Sequence, residues 1–296
     1  MKTPPSVEVP AASPSTPVMK VRFWGVRGGV PVPGPDTVRV GGNTPCVEIR
    51  TPDGDLIILD AGSGIRLLGL ALQLDFPERL ICTILISHTH LDHIQGFPFF
   101  APARQRHNRI AIFGEKRFDE HLEQILAGQM RAVYLPFALD DMDADILIKE
   151  MRDGETLVIG NHTLVDVRRL EHPGGVFGFR ITHGSAVLTY ATDVGHGPSG
   201  LDQRVVDLAR SADLLIHDAQ FSIEQKARYW DWGHSSWEDA VNVALAAGVK
   251  WLALFHHDML ADDDQLEEVE CQARALFPGA FIAYEGLEIF LPVHKS

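Results

Sequence analysis

The chain has 296 residues, of which 45% are hydrophobic, and a formal net charge of −14 from 40 acidic and 26 basic residues. This length is enough for a well-buried core, and the acidic excess argues against binding a nucleic-acid backbone unless basic residues cluster. The densest basic stretch, Arg104 to Arg109, is short, so we expect no stable nucleic-acid complex.

The three cysteines, Cys46, Cys82 and Cys271, are far apart and form no CxxC pair. This spacing argues against a disulfide framework and favours a reducing compartment, for which we predict the cytoplasm. No apolar run approaches the ~20 residues that cross a bilayer, and the N-terminus lacks the apolar segment of a secretory signal. We therefore expect no membrane association.

Residues 1–17 are rich in proline, serine and alanine, which predicts a flexible tail before one domain at 18–296. The first strand, 18–24, runs into the glycine-rich stretch Gly25 to Pro31. That stretch lacks the Lys-Ser/Thr pair of a phosphate-binding loop, and no helical pattern follows it. Strands and helices then follow in two similar sets, which predicts an α/β (α+β) chain. We predict further strands at 46–50, 56–60, 80–86, 110–113, 146–150, 155–159, 164–168, 177–182, 186–192, 213–218, 251–255, 281–283 and 287–291, and helices at 65–74, 94–97, 117–126, 236–247 and 262–276.

The stretch from Ser87 to His93 contains four side chains that can bind metal ions, and it directly follows the apolar strand at 80–86. Alternate residues of an extended segment point to the same side, so His88 and His90 can converge on one ion. Asp92 and His93 follow where the chain leaves the strand, and they can face a second ion. Imidazole and carboxylate ligands suit Zn²⁺, Mn²⁺ or Fe²⁺ better than Ca²⁺ or Mg²⁺.

Further candidate ligands stand where later apolar strands end. His172 and Asp193 each occupy such a position, as does the pair His256-His257. Asp60 also ends an apolar strand, just before a glycine turn. Because a two-metal site needs about six to eight ligands, these residues could complete the set that the first stretch begins.

The pattern His88-x-His90-x-Asp92-His93 resembles the HxHxDH signature of the metallo-β-lactamase superfamily. The resemblance implies a four-layer αβ/βα sandwich with a two-metal hydrolytic site at the edge between its sheets. It implies two divalent ions, zinc first and manganese or iron as alternatives. It also implies that Asp60 supports the ligands and that His256, rather than His257, is the final ligand. In family order, one ion takes His88, His90 and His172, the other takes Asp92, His93 and His256, and Asp193 bridges them.

The stretch Gly233-His234-Ser235-Ser236 resembles the HST motif of the ribonuclease-Z-like branch, whose histidine gives a proton to the leaving group. A histidine with a near-neutral pKa can protonate a departing alkoxide, and Asp92 can orient or deprotonate the attacking water. The alternative is that His234 only caps or packs. Four other residues are expected to support the ligands or touch substrate: His217, Asp218, His196 and His257.

The expected activity is hydrolysis of small phosphodiesters, with 3′,5′-cyclic nucleotides first, because His88 to Gly96 resembles the signature of class II cyclic-nucleotide phosphodiesterases. A transfer-RNA 3′-processing endonuclease is the alternative enzyme. That family usually has a long arm between the lone histidine and the bridging aspartate, whereas His172 and Asp193 are close in this sequence. A non-hydrolytic metal-binding or diiron sensor module is the alternative outside the hydrolases. The resemblance alone implies a homodimer.

Overall fold

The computed structural model describes residues 17–115, 120–197 and 200–294, so nearly all of the predicted tail at 1–17 lies outside the described residues. Two mixed β-sheets of seven strands each pack against one another, and helices cover their outer faces. In the described part of the chain, no helix is both long and apolar enough to cross a bilayer.

The first sheet is built from the first six strands and the last strand. These are β1 (Val18–Gly25), β2 (Cys46–Arg50), β3 (Leu56–Leu59), β4 (Ile81–Leu85), β5 (Arg109–Glu115), β6 (Asp145–Met151) and β14 (Glu288–Pro292). Their order is β14-β1-β2-β3-β4-β5-β6. The pairs from β14 to β3 are antiparallel, and the pairs from β3 to β6 are parallel.

The second sheet repeats this progression. Its strands are β7 (Thr156–Ile159), β8 (Thr163–Leu170), β9 (Val176–His183), β10 (Ala186–Ala191), β11 (Leu214–Asp218), β12 (Trp251–Phe255) and β13 (Ala280–Ile282). The strands β7 to β10 pair antiparallel, and β10 to β13 pair parallel, in sequence order. Two sheets with the same pattern confirm the predicted αβ/βα sandwich.

The core is divided into two layers by the period-two alternation of strand side chains. In β3, Ile57 and Leu59 face the core between the sheets, whereas Leu56 and Ile58 face the outer helix layer. All four side chains are buried, which explains why this strand is a continuous apolar run in the sequence. The ends of such two-sided strands are therefore firmly held, and the candidate ligands lie there.

The described helices are α1 (Ile65–Asp75), α2 (Leu91–Ile94), α3 (Leu122–Gly128), α4 (Gln203–Ala209), α5 (Ile223–Arg228), α6 (Trp237–Ala247) and α7 (Asp263–Leu276). The predicted helix at 94–97 is wrong, because the helical turn begins earlier and contains Asp92 and His93. The helix predicted at 117–126 begins at Leu122, and 116–119 lie outside the described residues. The sequence prediction missed α4 and α5, whose first turns are capped by Asp202 and Ser222.

Candidate metal centre

The predicted ligands meet where strands of both sheets end. His88 and His90 follow β4, and Asp92 and His93 lie on α2 directly after them. In the second sheet, single residues follow three different strands. These are His172 after β8, Asp193 after β10 and His256 after β12. Clefts beyond the carboxyl ends of parallel strands are common ligand sites in α/β proteins, because the chain leaves the sheet there.

The first cluster consists of His88, His90, His172 and Asp193, whose ligand atoms all lie within 4.8 Å of one another. Nε2 of His172 is 3.2 Å from Nδ1 of His90, and Nε2 of His88 is 3.7 Å from Oδ1 of Asp193. Of the four side chains, His90 alone is exposed. Three imidazoles and one carboxylate around a small space form a donor set that suits zinc.

The second cluster consists of Asp92, His93, Asp193 and His256, again with all ligand atoms within 4.8 Å. Oδ2 of Asp193 lies 3.1 Å from Nε2 of His93 and 3.3 Å from Nε2 of His256. Nε2 of His256 is also 3.2 Å from Oδ2 of Asp92. Asp193 thus presents one carboxylate oxygen to each cluster, and the two clusters contain the same residues that the sequence predicted for two ions.

The chemistry of the side chains in these clusters fits bound cations. Nε2 of His88 and Nε2 of His93 are buried, and neither makes a well-formed hydrogen bond to a described residue. Burial lowers the pKa of His88 well below its usual range and so leaves a neutral ring with a free lone pair. Burial opposes charge on Asp193 too, but the nearby His256, His93 and His88 hold its pKa well below the usual range. A neutral imidazole beside a buried anion is what a divalent metal binds.

Three residues of the site hold a left-handed backbone conformation that non-glycine residues rarely adopt. The φ angles are 59° for Asp60, 49° for Asp193 and 59° for His256. Asp60 and His256 come directly after buried strands, and Asp193 follows β10 after one further residue, so the turn at each strand end positions the side chain. Such conformations cost free energy and persist where the surrounding structure fixes them, as often happens at functional sites.

Asp60 contacts Nδ1 of His93, the ring nitrogen that does not face the second cluster. Its Oδ2 lies 2.8 Å from Nδ1 of His93 and accepts a hydrogen bond of 2.7 Å from the hydroxyl of Tyr190. Its two oxygens also accept bonds from the backbone N–H and the hydroxyl of Ser87. Ser87 and Tyr190 were not predicted to take part, although a tyrosine in a buried strand such as β10 signals a buried hydrogen-bond partner. With Nδ1 bonded to Asp60, Nε2 of His93 faces the second cluster.

Replacing Asp60 with asparagine is expected to weaken metal binding about 10–100-fold, the usual loss when the partner of a metal-binding histidine is changed. The asparagine NH₂ group would face hydrogen-bond donors, and the negative charge that orients His93 would be absent. Titration with Zn²⁺ in competition with a chromogenic chelator measures the change. Tyr190→Phe is the matched control, since it removes only one of the bonds to Asp60 and should have a much smaller effect. Equal affinities for Asp60→Asn and the wild type would contradict this role.

The glycine-rich stretch after β1 closes over the second cluster. The backbone N–H of Gly29 donates a 2.8 Å hydrogen bond to Oδ2 of Asp92, and the N–H of Gly28 bonds to the carbonyl of His257. Behind them, the buried Arg27 donates to the carbonyls of Asp258 and Ala261. The stretch therefore positions the carboxylate of Asp92, a candidate ligand.

Gly28→Ala is expected to displace His256, because a Cβ at Gly28 would lie 2.4 Å from Cε1 of that ring. Overpacking of this kind costs about 1–3 kcal/mol, and a displacement of ~1 Å at a reactive site can lower turnover ~10²-fold. The measurements are bound metal per chain and turnover of a phosphodiester. Gly34→Ala is the control, since no described atom lies within 4 Å of its Cβ position. If Gly28→Ala behaves like Gly34→Ala, the close packing against His256 has no consequence for the site.

His234 lies beside both clusters and is held by Asp218. Nδ1 of His234 donates a 2.8 Å hydrogen bond to Oδ2 of Asp218, and its ring stacks on His256 with centroids 5.1 Å apart. Burial disfavours the charged form, but the Asp218 carboxylate outweighs it and raises the pKa of His234 to about 9. The other oxygen of Asp218 accepts from the backbone N–H of Ser235. Gln220, which the sequence analysis did not single out, lies 3.0 Å from Nδ1 of His256.

Two of the predicted supporting residues contact none of the seven candidate ligands through side-chain hydrogen bonds in the described chain. Nε2 of His257 donates to the carbonyl of Ala283, so His257 takes no place in either cluster. Nδ1 of His217 donates to the carbonyl of Asp218, and its ring stacks on His196. These hydrogen bonds of His217 and His257 thus go to backbone carbonyls, and a role for the two residues in supporting the ligands or touching substrate stays a prediction. His196 lies in the wall of a cavity next to His172.

Two adjacent clusters of candidate imidazole and carboxylate ligands lie at one edge of an αβ/βα sandwich. This arrangement places the protein in a class of metal-binding proteins that share this fold. A family described as "Beta-lactamase superfamily domain" matches residues 56–257, more than half of the chain. The protein belongs to this family, which confirms the resemblance seen in the sequence.

Individual relatives cover almost the whole chain. Ribonuclease Z of Bacillus cereus (strain AH820) is 24% identical over 90% of this chain and 97% of its own length. Among solved structures, the metallo-β-lactamase fold protein YhfI of Bacillus subtilis matches with a TM-score of 0.68 at 22% identity, over 92% of this chain and 99% of YhfI. The short form of human tRNase Z also gives 0.68, at 21% identity, over 93% of this chain and all of the human chain. These two structures share the fold.

Proposed function

We propose that the protein is a metal-dependent phosphodiesterase with a two-metal site, and that its substrates are small phosphodiesters, 3′,5′-cyclic nucleotides first. The observation that carries the proposal is the shared carboxylate of Asp193 between two ligand clusters, with His234 beside them. Two divalent ions, zinc first and manganese or iron as alternatives, would supply Lewis acidity toward the phosphate and lower the pKa of a water molecule. The ligand assignments are those predicted from the sequence.

The residues of the chain have distinct roles in this reaction. Asp92, fixed by the N–H of Gly29, orients the attacking water toward phosphorus. His234, fixed by Asp218, gives a proton to the alkoxide that leaves. Both side chains contact His256: Oδ2 of Asp92 lies 3.2 Å from its Nε2, and the His234 ring stacks on its ring.

Charge favours a small substrate over a long polyanion. The formal net charge is −14, and the cavity next to His172 has Glu171 and Asp231 in its wall. The lysine of that wall, Lys226, already pairs with Asp239 at 2.6 Å. Binding of an RNA backbone requires a surplus of Lys and Arg around the phosphates. The three unpaired cysteines agree with a cytoplasmic location, where such substrates occur.

A transfer-RNA 3′-processing endonuclease is the second candidate, and the similarity to ribonuclease Z over nearly the whole chain is the observation that favours it. The residues that hold metals and transfer the proton would be the same for both substrates. What differs is the surface that must bind the remainder of the substrate.

The test is turnover by the full chain after loading with Zn²⁺, Mn²⁺ or Fe²⁺ under anaerobic conditions. Bis-p-nitrophenyl phosphate reports diester cleavage of any kind, and we expect turnover that a chelator abolishes. A panel of cyclic AMP, cyclic GMP, 2′,3′-cyclic nucleotides and a precursor tRNA then separates the candidates. The proposal fails if the metal-loaded protein cleaves no diester, and efficient cleavage of the precursor tRNA alone would replace the first candidate with the second.

A further inference from the structure

A cavity of about 740 Å³ opens directly beside the first cluster. His172 and Gly233 stand in its wall, and Nδ1 of His172 donates to the carbonyl of Gly233. Pockets of about 300–1,000 Å³ hold most small ligands, so the volume suffices for a nucleoside next to a reacting phosphate. The cavity thus begins at a candidate metal ligand and extends away from the reacting centre.

The outer part of this cavity is apolar and exposed. Trp230 is 79% exposed and Ile223 is 55% exposed, although both are large apolar side chains and both belong to the wall. A tryptophan face is a suitable surface for stacking a heteroaromatic ring, since every nucleobase has a π-face. This wall therefore offers an uncovered surface to a flat ligand.

His196, a residue of the cavity wall, has a buried hydrogen-bond donor without a partner in the described chain. Nδ1 of His196 accepts a hydrogen bond from the backbone N–H of Asp202, so the proton of the neutral ring is on Nε2. Burial keeps the ring neutral by lowering the pKa of His196 to about 4. His196 is only 8% exposed, and its Nε2 has no hydrogen-bond partner in the described chain. A buried donor without a partner costs free energy, which a ligand acceptor would recover.

The charges around the cavity limit what it can accept. Asp231 is acidic, the acidic Glu171 pairs with Arg204 at 3.4 Å, and the ammonium group of Lys226 is held by Asp239. A second phosphate group placed here would meet more negative than free positive charge. A neutral, flat group with hydrogen-bond acceptors on its edge meets no such penalty, and nucleobases have these properties.

We propose that this cavity binds the nucleobase of a mononucleotide diester, with Trp230 as the stacking face and Nε2 of His196 as the donor to an acceptor on the base edge. This inference rests on the proposed phosphodiesterase function, because it places the scissile phosphate at the metal clusters beside His172. It adds the place where the base of a nucleotide substrate binds and the two residues that contact it, Trp230 and His196.

The test compares two esters that release the same p-nitrophenolate and differ only in the nucleoside. Thymidine 5′-p-nitrophenyl phosphate carries a base, and methyl p-nitrophenyl phosphate does not. Trp230→Ala and His196→Ala should each lower kcat/KM for the thymidine ester about tenfold, the effect of losing one stacked face or one bond to the base. Both variants should leave kcat/KM for the methyl ester within about twofold. Trp230→Phe keeps an aromatic face and should restore most of the loss.

The outcomes separate this inference from the function on which it rests. No turnover of either ester by the metal-loaded wild type overturns the proposed function. Turnover of both esters with the same loss in each variant, or with no loss, overturns the base site alone. Cleavage of a precursor tRNA that depends on Trp230 and His196, while the thymidine ester is unaffected, would show that the cavity serves an RNA, and the inference would be wrong. Unchanged far-ultraviolet circular dichroism and melting temperature exclude a folding defect in the variants.

Discussion

Asp193→Asn is expected to reduce the bound metal from two ions per chain to one or none, and to lower turnover of bis-p-nitrophenyl phosphate at least ~10³-fold. Asp193 is the side chain that the first and second candidate clusters share, since Oδ1 faces His88 and Oδ2 faces His93. Asparagine has similar size and tolerates the left-handed backbone at this position, so the loss would come from the charge and the second ligand oxygen. Elemental analysis after dialysis and initial rates measure the two effects.

Asp207→Asn is the matched control for this experiment. Asp207 lies on α4 in an exposed position. Its ion pair with Arg210 involves no residue of either ligand cluster. We expect two bound ions and unchanged rates for that variant. If Asp193→Asn also keeps two ions and normal turnover, Asp193 does not bridge metals and the two-metal assignment is wrong.

His234→Ala is expected to lower kcat for cyclic AMP about 10²–10⁴-fold while the metal content stays at the wild-type value. The reason is that an alkoxide is a poor leaving group and needs a proton, which His234 can give from its place beside both clusters. The loss for bis-p-nitrophenyl phosphate should be far smaller, because p-nitrophenolate leaves without protonation. A much larger loss for cyclic AMP than for bis-p-nitrophenyl phosphate therefore indicates proton donation by His234. A purely structural role would lower both rates to the same extent.

His121→Ala serves as the comparison for a histidine that also pairs with a carboxylate, since Nδ1 of the exposed His121 lies 2.9 Å from Oε1 of Glu150. That variant should retain both activities. Equal losses for the two substrates in His234→Ala would mean that the side chain positions the clusters, and absence of any loss would remove it from the mechanism. Asp218→Asn, which weakens the hold on His234, should give an intermediate loss with the same preference for the alkoxide substrate.

The sequence was a good guide to the strands, because fully buried strands such as β3 and β12 are uninterrupted apolar runs. It was a poor guide to short helices. The helices α4 and α5 have seven and six residues, too few for a helical period to emerge above the loops around them. The helix at 91–94, which contains Asp92 and His93, was predicted at 94–97 for the same reason, since four helical residues carry almost no periodic signal.

The candidate ligands were predictable because they follow apolar strands, and this local pattern is visible in one sequence alone. Their partners were not, because these partners come from distant parts of the chain. Tyr190 reaches Asp60 across 130 positions, and Gln220 reaches His256 across 36. The cavity beside His172 depends on the fold of α5 against the following turn, so the sequence did not indicate the site proposed for the nucleobase. For His217 and Asp218, the resemblance predicted a shared supporting role; in the structure His234 donates to Asp218, whereas Nδ1 of His217 donates to the carbonyl of Asp218.

Each ligand cluster is assembled from both sheets. His88 and His90 follow a strand of the first sheet and His172 follows one of the second. In the other cluster, Asp92 and His93 on α2 are joined by His256, which follows a strand of the second sheet. A bound ion would therefore act as a cross-link between the two halves, so separation of the sheets and release of metal would be one thermodynamic event. Each tenfold rise in free metal above its dissociation constant would then add about 1.4 kcal/mol to the free energy of unfolding. Metal supply in the cell would regulate the lifetime of the protein as well as its activity.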